Sequence, residues 1–443
     1  MTAGPVFADL VGQEIVVDQL QRAVSAAQAA TRRDQGADAS DASPGDAGSG
    51  DAGTVDAGKA TSAGGSGSGR LAGAAGGMTH AWLFTGPPGS GRSLAARAFA
   101  AALLCEHQGC GQCQSCHQVA AGTHADLLLV RPDGLSYGVK QTRDLVLKAA
   151  AAPVYGRWRI VLFEDADRST EQAANALLKA IEEPAPRTVW LLCAPYADDL
   201  PTTIRSRCRL VTLRSPRTSA VAEVLVREGV AAERAMTAAR AAQGHIGRAR
   251  RLATDEEAAR RRSAVLRMPG EVDGLGQALR ASAVLVKAAE AEAAAVTEEL
   301  DEPEREALRR AFGEGSTGKG VATALRGGAG ALKELEDRQK SRATRVKRDS
   351  LDRALLDLAG YYRDVLAVQV GASVELANGG RDAELGELAE ASTPAETVRK
   401  IEAIMRCRER IAANVAPLLA VEEMALTLSG LVPDPPPPLR LNR

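Results

Sequence analysis

The sequence predicts an α/β P-loop domain, a parallel sheet with helices on both faces, followed by purely helical domains. Three observations carry that reading. Between Ala81 and Leu213, five short apolar runs alternate with helical stretches. A glycine-rich loop, Gly86-Pro-Pro-Gly-Ser-Gly-Arg-Ser93, follows the first run directly. Beyond Arg214 the strand-like runs cease and helical periodicity takes over. Strands that alternate with helices pair in parallel, because each helical crossover returns the chain in the same direction.

A chain of 443 residues has room for two or three domains, each with its own core. Aromatics make up only 3% and Ala is abundant, which points to helices packed through small side chains. A net charge of -1 argues against a surface coated in nucleic-acid-binding charge. The opening MTAGPVFADL has neither a basic n-region nor an apolar h-region, and no run of about 18 apolar residues occurs. These features predict a cytoplasmic chain with no membrane partner. Its seven cysteines therefore read as thiols or metal ligands rather than disulfides.

In chain order, Ile15 to Ala27 reads as a short helix. Residues 34–77 are mostly Ala, Gly, Asp and Ser, with Val55 and Leu71 the only large apolar side chains. Such a stretch cannot offset the entropy of ordering and is expected to be a flexible, disordered insertion. The candidate strands are AWLFTG, DLLLV, RIVLFED, TVWLLCAP and RLVTL. Ser219 to Arg251 reads as a small helical unit, and about 270 to 430 as a longer one. In the latter, Leu351, Leu355, Leu358, Tyr362 and Val365 share a helical face. Thr393-Pro-Ala-Glu396 is a capping box that opens a helix through Ile411. The tail PDPPPPLRLNR carries no packing signal. The expected domains are 1–213, 214–265, 266–432 and a flexible tail, 433–443.

The glycine loop is a degenerate Walker A motif. It sits between a strand and a helix expected to open at about Ser93, where Gly86, Gly89, Ser90, Gly91 and Ser93 could cradle phosphates and Mg²⁺. Arg92 replaces the lysine; it keeps the charge, but a planar guanidinium does not substitute freely for a compact ammonium. Ile160-Val-Leu-Phe163-Glu164-Asp165 resembles a Walker B strand with its two acids exchanged. The exchange moves each carboxylate by about 1 Å and weakens hydrolysis more than binding. ATP and Mg²⁺ binding at this loop therefore stays open. Gly313-Glu-Gly-Ser-Thr-Gly-Lys319-Gly320 carries the lysine but lacks the metal-binding hydroxyl and the preceding strand, and reads as an ordinary loop.

Cys105, Cys110, Cys113 and Cys116 form C-x4-C-x2-C-x2-C. Four thiolates so close together fit a closed, structural Zn²⁺ site, with His107 and His117 as spare donors. Cys193, Cys208 and Cys407 are isolated and expected to be packed.

Asn175-Ala-Leu-Leu-Lys-Ala-Ile-Glu-Glu-Pro184, Ser206-Arg207-Cys208, the cysteine cluster after the P-loop and Phe7-Ala-Asp-Leu-Val-Gly-Gln13 together carry a resemblance. They resemble the AAA+ subunits of bacterial clamp loaders, most closely the delta-prime type of DNA polymerase III. The likeness covers residues 5–30 and 78–250; the C-terminal helices match in kind. It implies an AAA+ domain, a helical lid and an all-α collar. It also implies partners: gamma/tau motors and the delta subunit and, through the complex, the sliding clamp and primed DNA. The chain would belong to the polymerase holoenzyme without being a polymerase. By this likeness Arg207 is a catalytic arginine finger offered to a neighbour's ATP; its plainer role is to cap a strand end or pair with an internal acid.

Relative to motor subunits, Leu192-Cys193-Ala194-Pro195 lacks the sensor hydroxyl, and the second sensor position falls on Gly247, one before Arg248. With Arg92 and the exchanged acids, these departures imply a chain that donates catalysis without performing it. The alternative is an active gamma/tau-type ATPase; a zinc-bearing adaptor unconnected with replication is the third reading. Arg248–Arg262 and Arg338–Arg348 each hold six Lys or Arg, expected to be solvated helix faces rather than DNA contacts.

Overall fold

A computed structural model describes residues 4–40, 78–132, 134–311 and 321–431. Most of the 34–77 insertion, the Gly313–Gly320 loop and the Pro-rich tail lie outside the described residues. The chain forms two compact units that divide between Arg214 and Ser215.

The first unit opens with a 3₁₀ turn at Pro5–Phe7 and helix α1 (Glu14–Ser40). Helix α1 runs past the expected end at Ala27 and takes in residues 34–40, which composition alone assigned to the insertion. There follow β1 (Ala81–Thr85), α2 (Arg92–Leu104), α3 (Gln114–Ala121), β2 (Leu127–Val130) and α4 (Val139–Ala149). Then come β3 (Arg159–Phe163), α5 (Glu171–Glu182), β4 (Thr188–Ala194), α6 (Thr202–Arg205) and β5 (Arg209–Thr212). All five expected strands form, and they pair in parallel in the order β2-β3-β4-β1-β5.

Successive strand residues feed two separate cores, the period-2 consequence of a sheet covered on both faces. Trp82, Phe84, Ile160, Leu162, Val189 and Leu191 pack on one side with α1 and α2. Ala81, Leu83, Val161, Phe163, Trp190 and Leu192 pack on the other with α4 and α5. Helix α2 offers the sheet mainly Ala side chains, so Phe99 can reach Trp82 edge-on at a centroid distance of 4.9 Å.

Asp126, just before β2, is fully buried and organises the loop ahead of β3. It accepts the backbone N–H groups of Val154, Tyr155 and Gly156 at 2.6–2.8 Å and faces Arg159 at 3.6 Å. Burial alone would raise its pKa, but the three N–H donors together hold it below 3.8. The stabilisation is therefore present above pH 3.8 and is lost below it, as pH falls through the lowered folded-state value. Asp126→Asn should cost about 2–3 kcal/mol in urea unfolding at neutral pH. The deficit relative to wild type should shrink in strong acid.

The second unit contains α7 (Thr218–Arg227), α8 (Ala232–Ala242), α9 (Ile246–Thr254), α10 (Glu256–Glu271) and α11 (Leu275–Ala311). It continues with α12 (Val321–Gln369), α13 (Asp382–Ala391), α14 (Pro394–Ala412) and α15 (Pro417–Leu428). Helices α7 to α9 enclose their own small core, built on Val221, Leu225 and a row of alanines. Leu351, Leu355, Leu358, Tyr362 and Val365 are buried, as their spacing predicts. The capping box at Thr393 is present, with both reciprocal hydrogen bonds. The expected boundary at 265/266 falls inside α10, so a continuous helix joins the small helical group to the long helices.

The basic stretches depart from the solvated reading. Arg260 is well exposed, but Arg248 and Arg262 both pair with the largely buried Asp357. Arg251 and Arg353 converge on Glu292, which also accepts the Ser350 hydroxyl at 2.6 Å. Arg342 bridges Asp301 and Glu304, both at 2.8 Å. These charges hold helices together, and the groups around Asp357 and Glu292 line a cavity of about 410 Å³ floored by Leu252, Val265, Met268, Leu285 and Leu351. Helical periodicity cannot detect such pairing, because the acids come from distant helices. Among the described residues, no helix is long and apolar enough to cross a membrane.

Candidate functional site

The glycine loop occupies the β1–α2 corner. Gly86 has φ +148°, and a Cβ there would lie 2.6 Å from the Leu213 carbonyl oxygen, so only glycine fits. Gly86 N–H donates to Pro195 O at 3.0 Å, tying the loop to the end of β4. Helix α2 begins at Arg92, one residue before the expected position. The Arg92 guanidinium turns back and donates to the Gly86 carbonyl of its own loop.

Gln13, the last residue of the Phe7-to-Gln13 motif, braces the loop. Its amide donates to Arg214 O at 2.6 Å and to Ser90 O at 3.4 Å, while its carbonyl oxygen accepts Arg214 N–H at 3.2 Å. This role becomes visible only when β5 comes to lie beside β1. Ser90 is buried, and its hydroxyl has no hydrogen-bond partner among the described residues.

Glu164 stands at the end of β3, as expected, but its carboxylate is engaged. Arg131 Nε donates to it at 2.8 Å, and Arg97 Nη2 lies 3.5 Å away. Neither arginine belongs to a motif, so no sequence signal points to them. Asp165 adopts a left-handed backbone, φ +49°, and faces Arg168 at 3.9 Å. Cys193 fills the end of β4, where the resemblance would place a sensor hydroxyl. Burial pushes its thiol far above the ordinary value, and the Glu164 carboxylate adds to the rise. An octahedral Mg²⁺ needs free carboxylate and hydroxyl oxygens. Here Glu164 serves two arginines and Arg92 holds the Gly86 carbonyl, so a metal–nucleotide pair would have to displace these contacts.

Arg207 lies in the turn after α6, with its side chain 41% exposed. Its Nη1 donates to Thr203 O at 2.7 Å and to Ser206 Oγ at 3.2 Å. Its Nη2 sits 2.7 Å from Oε1 of Glu182, near the end of α5. The plainer role of pairing with an acid is therefore filled, but by an acid that is itself 43% exposed. Arg248, next to the second sensor position, is committed to Asp357 within the helical unit.

Cys105, Cys110, Cys113 and Cys116 bring their sulfurs within 4.8 Å of one another. The Cys105–Cys110 and Cys105–Cys113 separations are 3.7 and 3.6 Å. A tetrahedral zinc–thiolate site, with Zn–S near 2.3 Å, has sulfur–sulfur edges of about 3.8 Å. The four residues fit Zn²⁺, and neither His107 nor His117 joins the group. The turns that gather them need left-handed backbone at Gln108, Gly109 and Gly111. A Cβ at Gly109 would overlap Val6, and Val6 N–H donates to Gly109 O at 3.3 Å. The cysteine knuckle thus fastens the N-terminal turn to the end of α2. Of the remaining thiols Cys193 and Cys407 are buried and Cys208 is half-buried, in line with packing roles.

Comparison with known proteins finds similarity to subunits of DNA polymerase III in this unit. Residues 72–217 match the family described as DNA polymerase III, delta subunit. DNA polymerase III subunit delta' of Pseudomonas aeruginosa is 38% identical over 154 residues, 33% of this chain and 47% of that protein. The Bacillus subtilis subunit of the same name is 30% identical over 194 residues, 43% of this chain and 59% of that protein. DNA polymerase III subunit gamma/tau of Mycobacterium bovis is 36% identical over 172 residues, 37% of this chain and 30% of that protein. The chain thus spans about half the length of the delta' relatives it matches. A crystal structure of a gamma subunit-related protein from Thermotoga maritima aligns at TM-score 0.36 and 17% identity, over 79% of this chain and 94% of that one.

Proposed function

We propose that this chain is a delta-prime-type subunit of a DNA polymerase III clamp loader. In this reading it helps to load the sliding clamp onto primed DNA, alongside gamma/tau and delta partners. The observation that carries it is a contrast within one domain. The chain's own P-loop is closed by its own side chains, Arg92 on the Gly86 carbonyl and Arg97 and Arg131 on Glu164. Arg207 stands exposed in its turn, its pairing with Glu182 open to solvent. Such a domain is suited to stabilise charge on a neighbour's nucleotide while holding none itself. The relatives' names include both delta' and gamma/tau, so similarity alone does not choose between donor and motor. The arginines in the pocket favour the donor.

Equilibrium binding of a fluorescent ATP analogue with Mg²⁺ to the purified chain tests this reading. No saturation at millimolar nucleotide is expected, because phosphates would have to displace Arg92 from Gly86. Saturation in the micromolar range would mean that Arg92 serves as the phosphate cation, and the gamma/tau-type alternative would replace this one.

A further inference from the structure

The side chain facing Arg207 suggests a role for a residue in the Asn175-to-Pro184 motif. We infer that Glu182 is the positioning residue for Arg207, setting the guanidinium in the orientation in which it meets a partner's phosphoryl group. The inference rests on the reading of Arg207 as a trans-acting finger.

An arginine has several rotatable bonds and loses substantial side-chain entropy when it is held still. On an exposed turn it would sample many directions, few of them useful to a neighbour. Here three acceptors restrain it. Thr203 O and Ser206 Oγ take Nη1, and Glu182 Oε1 takes Nη2. The first two belong to the same short turn as Arg207 and move with it. Glu182 belongs to α5, whose buried face (Ala173, Ala174, Leu177, Ile181) is packed under the sheet. It therefore refers the guanidinium to the rigid body of the domain.

The planar fork carries five N–H groups; Nη1 spends its two on Thr203 O and Ser206 Oγ, and Nη2 lies against Glu182 as an ion pair, so the Nε–H is left for a ligand. Glu182 is followed by Glu183-Pro184, and the helix ends at Glu182, so its position is set by the helix terminus. Because both partners are more than 40% exposed, the pair itself adds little to stability. Its consequence is orientation.

The test uses the assembled loader and compares Glu182→Ala, Glu182→Gln and Arg207→Ala. With the loader's remaining fingers disabled, Glu182→Ala should lower the DNA-stimulated kcat of the one site this chain serves by roughly three- to tenfold with KM for ATP unchanged, the scale of one lost orienting contact. Glu182→Gln keeps an acceptor oxygen and should recover most of that loss. Combined with Arg207→Ala, the Glu182→Ala change should have no further effect, since both act through one guanidinium. Thermal unfolding should be the same for all variants. A normal kcat for Glu182→Ala, a rise in kcat, or an equal loss in the Arg207→Ala background would overturn the inference while leaving the finger in place. A normal kcat for Arg207→Ala would instead remove the reading on which it stands.

Discussion

Replacing Arg207 with Ala should lower ATP turnover by roughly 10³-fold or more at the one site this chain serves in an assembled loader. The expectation follows from what a trans arginine does. Phosphoryl transfer places charge on the equatorial oxygens of the moving group, and a guanidinium brought from a neighbour stabilises that charge in a site with little water. Total turnover would fall only to the level of the sites served by other fingers. A single-site measurement, or a loader with its remaining fingers disabled, is therefore the appropriate readout. The substitution should spare the fold, because the Arg207 side chain is 41% exposed and its ion-pair partner is an exposed acid. Unchanged turnover, with normal assembly and normal thermal unfolding, would exclude Arg207 from the reaction.

The second large effect concerns the cysteines. Cys113→Ser, or removal of the metal by a chelator, should destabilise the N-terminal unit by on the order of 4–5 kcal/mol, the range associated with loss of a structural metal. Burial raises the thiols of Cys113 and Cys116, while backbone N–H groups of Gln112 and Cys113 lower that of Cys110 to about 6; four thiolates gathered in this space would repel one another without a cation among them. Without it the knuckle would loosen, and with it the turn that carries Pro5, Val6 and the buried Phe7. Phe7 sits in the same core as Leu20, Trp82 and Phe99, so the loss would spread beyond the knuckle. Denaturation curves with and without chelator, together with the metal content of the purified chain, provide the measurement. One zinc per wild-type chain and a lower midpoint for Cys113→Ser are expected. A metal-free chain with an unchanged midpoint would reduce the cluster to four packed thiols.

Much of this was legible in the residues. The runs of β1, β3 and β4 stand out because central strands buried on both faces are continuously apolar, whereas the edge strand β5 buries only Val211. The P-loop corner and the cysteine knuckle were legible for a similar reason: their residues lie within a few positions of one another, so spacing encodes geometry. Helix α1 was underestimated because the residues after Ala30 are mostly small or polar, and composition cannot say where a packed helix stops.

The sequence by itself determined the fold class, the four clustered thiols, the altered nucleotide loop and the Ser206-Arg207-Cys208 motif. The tertiary structure alone decided which charge meets which. Arg97 and Arg131 on Glu164, Gln13 across to Arg214, Glu182 beside Arg207 and Arg248 on Asp357 join residues 25 to 201 positions apart. Local periodicity reports which face of an element is apolar, whereas an ion pair depends on where two elements cross. That crossing is set by the packing of the whole core, and no short window of sequence contains it.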